Sequence, residues 1–165
     1  MAIFLILLVQ GCDGRYKRID GTIAWVHWNT GSGKVVDVLE VSDPLKVIIL
    51  SDEYAKDDEK VFWKHLVIKG ADPSSFVLLH AEYSYSADKQ SVYFQNRKIP
   101  GTQPGEFKPL DYNYGVSMKN VFYRTHTING ADPATFVISE FESSAVYGCY
   151  LVADFLGGCK EVYER

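Results

Sequence analysis

The chain has 165 residues, of which 47 % are hydrophobic and 23 % charged, and its 17 basic and 21 acidic side chains give a formal charge of −4. That is the composition of one compact domain or a short repeat array, and it excludes a long disordered chain. No Lys/Arg block of the kind a phosphate-tracking surface needs is present, which argues against nucleic acid as a partner. No apolar run reaches the roughly 18 residues of a membrane-spanning helix. Aromatic residues make up 14 %, with Tyr and Phe ahead of Trp, a bias that favours strands over helices.

In chain order, Ile3 to Val9 is an unbroken apolar run, followed by Gln10-Gly11-Cys12 and the polar stretch Asp13 to Arg18. An apolar core, a small residue and a switch to polar sequence form a secretion-signal pattern. Val9-Gln10-Gly11-Cys12 also resembles a bacterial lipobox. That resemblance implies cleavage after Gly11, a lipid on the Cys12 sulfur and a mature chain starting at Cys12. Segment 1–11 is then the signal. The chain is expected in the bacterial cell envelope, on its periplasmic face, with the membrane as a partner through the anchor at Cys12. Asp13 resembles the inner-membrane retention signal of enteric bacteria. Only Met1 and Ala2 precede the apolar run, so the usual basic residues are missing, as they would be if the true start lay upstream. The competing reading is a buried first strand with a chance cysteine.

Residues 12–38 read as an N-terminal cap. Ile23 to Trp28 and Val35 to Val38 flank a Gly-rich loop, which is a hairpin signature. Gly31-Ser32-Gly33-Lys34 is not a phosphate loop. Trp28 stands where that motif needs its first Gly, and Val35 where it needs Ser or Thr.

Residues 39–139 carry the strongest signal, a self-similar period. Gly70-Ala71-Asp72-Pro73-Ser74-Ser75-Phe76 and Gly130-Ala131-Asp132-Pro133-Ala134-Thr135-Phe136 are near copies. Gly101 to Phe107 and Val41 to Val47 are worn ones. Pro44, Pro73, Pro104 and Pro133 are 29, 31 and 29 residues apart, and Val47, Phe76, Phe107 and Phe136 each follow three residues later. Five before each proline lie Leu39, Ile68, Ile99 and Ile128. Tyr54, Tyr85 and Tyr114 each precede a Val by seven residues, and Val61, Val92 and Val121 each open an aromatic pair.

Asp72 and Asp132 occupy the N-cap position, with proline next, which predicts one short helical or 3-10 turn per repeat. The following Phe would plug the core. The fold class expected is therefore mainly β: tandem repeats of about 30 residues, each two or three short antiparallel strands plus a short turn, stacked into one array. A curved sheet, an open solenoid and a propeller-like ring are all compatible with this pattern.

Tyr54-Ala55-Lys56-Asp57 through Val61-Phe62, followed by Ile68 to Phe76, resembles the bacterial DKNYY family. The family's naming segment is degenerate here, as Asp57-Asp58-Glu59-Lys60 and Asp88-Lys89-Gln90-Ser91, while the turn motif is nearly intact twice. The resemblance covers about residues 39 to 139. It implies a repeat protein, often exported to the envelope, and it brings no catalytic residues with it.

Side chains alternate across a strand, so Phe62, Tyr93 and Phe122 share a face with Lys64, Gln95 and Arg124. Stacking would align the three rings into a stripe suited to protein or sugar binding. The competing reading buries both faces between repeats, the usual fate of aromatics at repeat spacing. Residues 140–165 lose the Tyr/Val marker and read as a degenerate C-terminal cap. Cys149 and Cys159 lie ten apart in that cap and form either a disulfide or two buried thiols.

His27, His65, His80 and His126 show no metal-ligand spacing, and no nucleophile or zinc-protease motif occurs. No catalytic residue, metal or cofactor is expected. The function expected is non-enzymatic binding of a protein partner in the envelope, as an immunity or assembly lipoprotein. Carbohydrate binding through the stripe is the alternative, and a hydrolase with an unrecognised site ranks third.

Overall fold

The computed structural model describes residues 14–80, 84–111 and 113–138. These residues form four small antiparallel sheets that follow one another along the chain. The first is a meander of β1 (Arg15–Ile19), β2 (Thr22–Asn29) and β3 (Gly33–Val38). The second contains β4 (Ile48–Ile49), β5 (Tyr54–Lys56), β6 (Val61–Trp63) and β7 (Leu66–Val67). The third contains β8 (Val77–Leu78), β9 (Tyr85–Ala87), β10 (Val92–Phe94) and β11 (Arg97–Lys98). The fourth contains β12 (Lys108–Pro109), β13 (Tyr114–Val116), β14 (Val121–Tyr123) and β15 (His126–Thr127). The chain is thus mainly β and repetitive, as its period implies. The sheets are separate, so the described residues do not make one continuous curved sheet. The last three sheets have four strands each, not the two or three expected; the two outer strands are only two residues long and leave no alternation to read in the sequence.

The four proline corners share one geometry. Residues 44–46 and 104–106 make 3-10 turns, while residues 73–75 and 133–135 make plain turns. In all four the amide of Lys46, Ser75, Glu106 or Thr135 donates to the carbonyl of Asp43, Asp72, Gln103 or Asp132, at 3.1–3.3 Å. The Asp43, Asp72 and Asp132 carboxylates each accept the amide two residues on, at 2.9, 3.2 and 3.0 Å, which satisfies a donor the short turn leaves unpaired. Gln103 makes no such bond. Gly70, Gly101 and Gly130 enter the corners at φ of 77, 71 and 79°, where a side chain would be strained.

Each unit then runs outward and back through a second turn. Asp57 and Asp88 each accept two amide donors through Oδ1, and the Ser117 hydroxyl oxygen does the same in the fourth sheet. Lys64, Gln95 and Arg124 close the next turn at φ of 55–57°. Each donates its amide to the carbonyl of Glu53, Ser84 or Asn113.

The core lies between the sheets. Tyr54, Val61 and Ile68 of the second unit pack with Phe76 and Tyr93 of the third. Tyr85, Val92 and Ile99 of the third pack with Phe107 and Phe122 of the fourth. The first sheet enters the same scheme, with Tyr16, Ile23 and Leu39 against Val47 and Phe62. Its backbone agrees: Leu39 N–H donates to the Ile23 carbonyl at 2.9 Å, as Ile68, Ile99 and Ile128 donate to Val61, Val92 and Val121 at 2.8 Å. The segment expected to be a simple hairpin cap is therefore a further unit with a longer β2–β3 hairpin. Each layer also sets local residue size: a Cβ on Gly115 would come within 2.2 Å of the Phe107 ring.

Candidate functional site

The strongest polar feature of the stack is a tyrosine clasp repeated between neighbouring units. The hydroxyl of Tyr16 is shared between the carbonyls of Glu53 at 2.9 Å and Lys64 at 2.7 Å, that of Tyr54 donates to the Ser84 carbonyl at 2.8 Å and that of Tyr85 to the Asn113 carbonyl at 2.6 Å. The carbonyls of Glu53, Ser84 and Asn113 also accept the amides of Lys64, Gln95 and Arg124. One oxygen thus fastens a turn within its own unit and holds the preceding unit against it. The rings fill the layer below the hydroxyls; Tyr85 lies 4.9 Å from Phe94 and 5.2 Å from Phe107 between centroids.

Burial raises the pKa of Tyr16, Tyr54 and Tyr85 well above the ordinary phenol value. Burial and the Asp88 carboxylate push Tyr93 up to about 12. A phenol whose pKa is raised in the folded state contributes stability that is complete below the unfolded value of about 10 and is lost as pH rises through the folded value. The melting temperature is therefore expected to hold to about pH 10 and fall beyond it, with the tyrosinate signal of these four residues rising only as the stack unfolds. Titration of these tyrosines near pH 10 in the intact fold would contradict the clasp.

Phe62, Tyr93 and Phe122 do not form an exposed stripe. They are 1, 0 and 1 % exposed and lie in three different core layers. Lys64, Gln95 and Arg124 belong to the positive-φ turns and not to the strands, so they say nothing about the polarity of the strand face. An aromatic surface for sugar is therefore absent at these positions.

Tyr93 has a further partner. Its hydroxyl donates to Asp88 Oδ2 at 2.8 Å, and the same oxygen accepts the Asp72 amide at 2.9 Å. Asp88 responds to opposed influences: burial raises its pKa, but the bonds from the Asp72, Gln90 and Ser91 amides and from Tyr93 leave it lowered. In the second unit Asp57 holds the matching place, but Phe62 has no hydroxyl, and Asp57 Oδ2 is buried with no hydrogen-bond partner. The fourth unit avoids the mismatch, since Ser117 stands at the place of Asp57 and carries no second oxygen, and Phe122 stands at the place of Phe62.

The other corner residues are structural. Asp72 accepts the Ser75 and Ser74 hydroxyls at 2.7 and 2.8 Å and an ion pair from Lys89 at 3.0 Å. These bonds, in that order, hold its carboxyl below the ordinary range. Pro73, Pro104 and Pro133 open their corners, Phe76 and Phe107 plug the layers behind them, and Phe136 lies 5.8 Å from Tyr114. Cys12, Cys149 and Cys159 lie outside the described residues.

The fold also makes one polar cluster that spacing conceals. His27 Nε2 and His65 Nδ1 lie 3.1 and 3.4 Å from the same oxygen of Asp37. Beside it Lys64 pairs with Glu53 at 3.1 Å, and its ammonium lies 4.5 Å from the Trp63 ring centroid. The cluster ties β2 and β3 to the turn after β6. Among the described residues no group of three or more His, Cys, Asp or Glu side chains is arranged to hold a metal ion.

No curated protein and no solved structure matches the chain. The DKNYY family model matches twice, over residues 34–97 and 54–112. Those matches take in the corners at Pro44, Pro73 and Pro104 and the Tyr54–Ser84 clasp, while Tyr16, Asn113, Phe122 and Pro133 lie outside them. The chain belongs to the DKNYY family.

Proposed function

We propose that this chain is a non-enzymatic, protein-binding repeat module of the bacterial cell envelope, held at a membrane by a lipid on Cys12 and acting as an immunity or assembly protein. The observation that carries the binding half is a set of exposed aliphatic side chains at one repeat position, present after three of the four corner prolines. Ile48, Val77 and Val137 each stand four residues after a corner proline and are 57, 54 and 80 % exposed. Single exposed aliphatics are ordinary, but their recurrence at one repeat position supports a surface suited to a protein partner. Lys108 holds the matching place in the fourth unit.

The anchoring half is supported by the lipobox-like Val9-Gln10-Gly11-Cys12. No helix among the described residues is long and apolar enough to cross a membrane, so a covalent lipid would be one means of attachment. In envelope extract, the immobilised chain is expected to capture a specific protein. The triple variant Ile48→Asp, Val77→Asp, Val137→Asp is expected to lose it at unchanged melting temperature. A wild-type chain with no partner, or a triple variant that keeps it, removes the reading. The anchor is tested separately by incorporation of a labelled fatty acid, which Cys12→Ala must abolish.

A further inference from the structure

The outer face of the first sheet differs from the rest of the chain. Its inner face carries Tyr16, Ile23 and Trp25 into the first core layer. Residues paired directly across antiparallel strands share a face. The registers Arg15↔Val26↔Val36, Lys17↔Ala24↔Val38 and Trp28↔Lys34 therefore place these residues together on the opposite side. Ala24 and Val26 are buried at its centre. Around them Trp28, Val36 and Val38 are 58, 44 and 57 % exposed, and Arg15, Lys17 and Lys34 are exposed. The remaining paired positions on this face are Ile19 and Thr22, so its strands carry three cations and no carboxylate, in a chain whose formal charge is −4.

We propose that this face is a docking surface for an anionic phospholipid membrane. Tryptophan and aliphatic side chains suit the boundary between headgroups and acyl chains, and flanking Lys and Arg suit lipid phosphates. The occupant follows from charge complementarity and from the adjoining sequence: β1 begins at Arg15, three residues after Cys12 and six after the apolar run that ends at Val9. A single acyl chain gives only marginal, reversible attachment, and a basic patch is the usual second contribution. The inference deepens the envelope reading and rests on it for the setting, while its test needs no lipid on Cys12.

The unlipidated full chain is mixed with vesicles of phosphatidylcholine alone or with roughly 30 % phosphatidylglycerol, and bound protein is measured by sedimentation. Stronger binding to the anionic vesicles is expected, and it should weaken as salt approaches about 0.5 M. Arg15→Gln, Lys17→Gln, Lys34→Gln together should cost on the order of a hundredfold, at about fivefold per cation, in binding to anionic vesicles. Trp28→Ser should weaken binding further. Lys34→Gln alone, at the end of the hairpin, should cost roughly fivefold and provides the readout if the triple variant fails to fold. Equal binding to both vesicle types, or variants that bind like the parent, would overturn the proposal. Failure of fatty-acid labelling at Cys12 with vesicle binding intact would count against the anchor alone.

Discussion

Replacing Tyr85 by alanine is expected to destabilise the protein by about 3–5 kcal/mol. The ring is fully buried between the third and fourth sheets, against Phe94 and Phe107, and alanine would leave a cavity there. A loss of that size is a large fraction of the roughly 5–15 kcal/mol that hold a typical domain together. Tyr85→Phe separates the two roles of the side chain. It keeps the packing and removes only the hydroxyl donated to Asn113, whose carbonyl still accepts the Arg124 amide. The expected cost is about 1 kcal/mol. Urea unfolding of both variants checks the pair. If the phenylalanine variant lost as much as the alanine variant, the hydroxyl and not the ring would be the main tie.

Phe62→Tyr is expected to stabilise the protein by about 1–2 kcal/mol, a rise of about 4 °C in melting temperature. Most buried substitutions destabilise, so the sign is the test. The unpartnered Asp57 Oδ2 lies where Asp88 Oδ2 receives the Tyr93 hydroxyl in the next unit. The new hydroxyl should complete the same bond. Tyr93→Phe should cost a similar amount by undoing it. In an Asp57→Ala background the gain from Phe62→Tyr should vanish. A neutral or harmful Phe62→Tyr in the parent would show that the two units are not equivalent at this position.

Much of the architecture is written in residue spacing. The prolines mark the corners, Val47 or a Phe three residues later marks the plug, and Leu39, Ile68, Ile99 and Ile128 mark the return of the chain to the core. One copy was hidden. Tyr16 precedes Ile23 by seven residues, the same interval as Tyr54 to Val61, but the longer β2–β3 hairpin moves Leu39 away from the spacing seen in other units. The outer strands were not legible, because two residues show no period. The turns at Lys64, Gln95 and Arg124 were not legible either, because positive φ is usually signalled by Gly or Asn. That omission explains the misread stripe: polar residues belonging to a turn were counted as part of a strand face.

The site chemistry was less visible. A hydroxyl bound to a backbone carbonyl 28–37 residues away leaves no mark in side-chain pattern, and the meeting of His27, Asp37 and His65 depends on two units being stacked. What sequence offered instead was the tyrosine itself, recurring at fixed offset. A strand-face residue kept as tyrosine in several units, and not as phenylalanine, points to work for the hydroxyl as well as for the ring.

A double-mutant cycle across one unit boundary tests the stacked architecture most directly. Tyr85 and Phe107 belong to successive units and share one layer, whereas Tyr85 and Phe62 belong to different layers. Alanine substitutions at Tyr85 and Phe107 should couple by at least about 1 kcal/mol, and those at Tyr85 and Phe62 should add to within about 0.5 kcal/mol. Simple additivity for Tyr85 and Phe107 would mean that the layer between the third and fourth sheets does not exist.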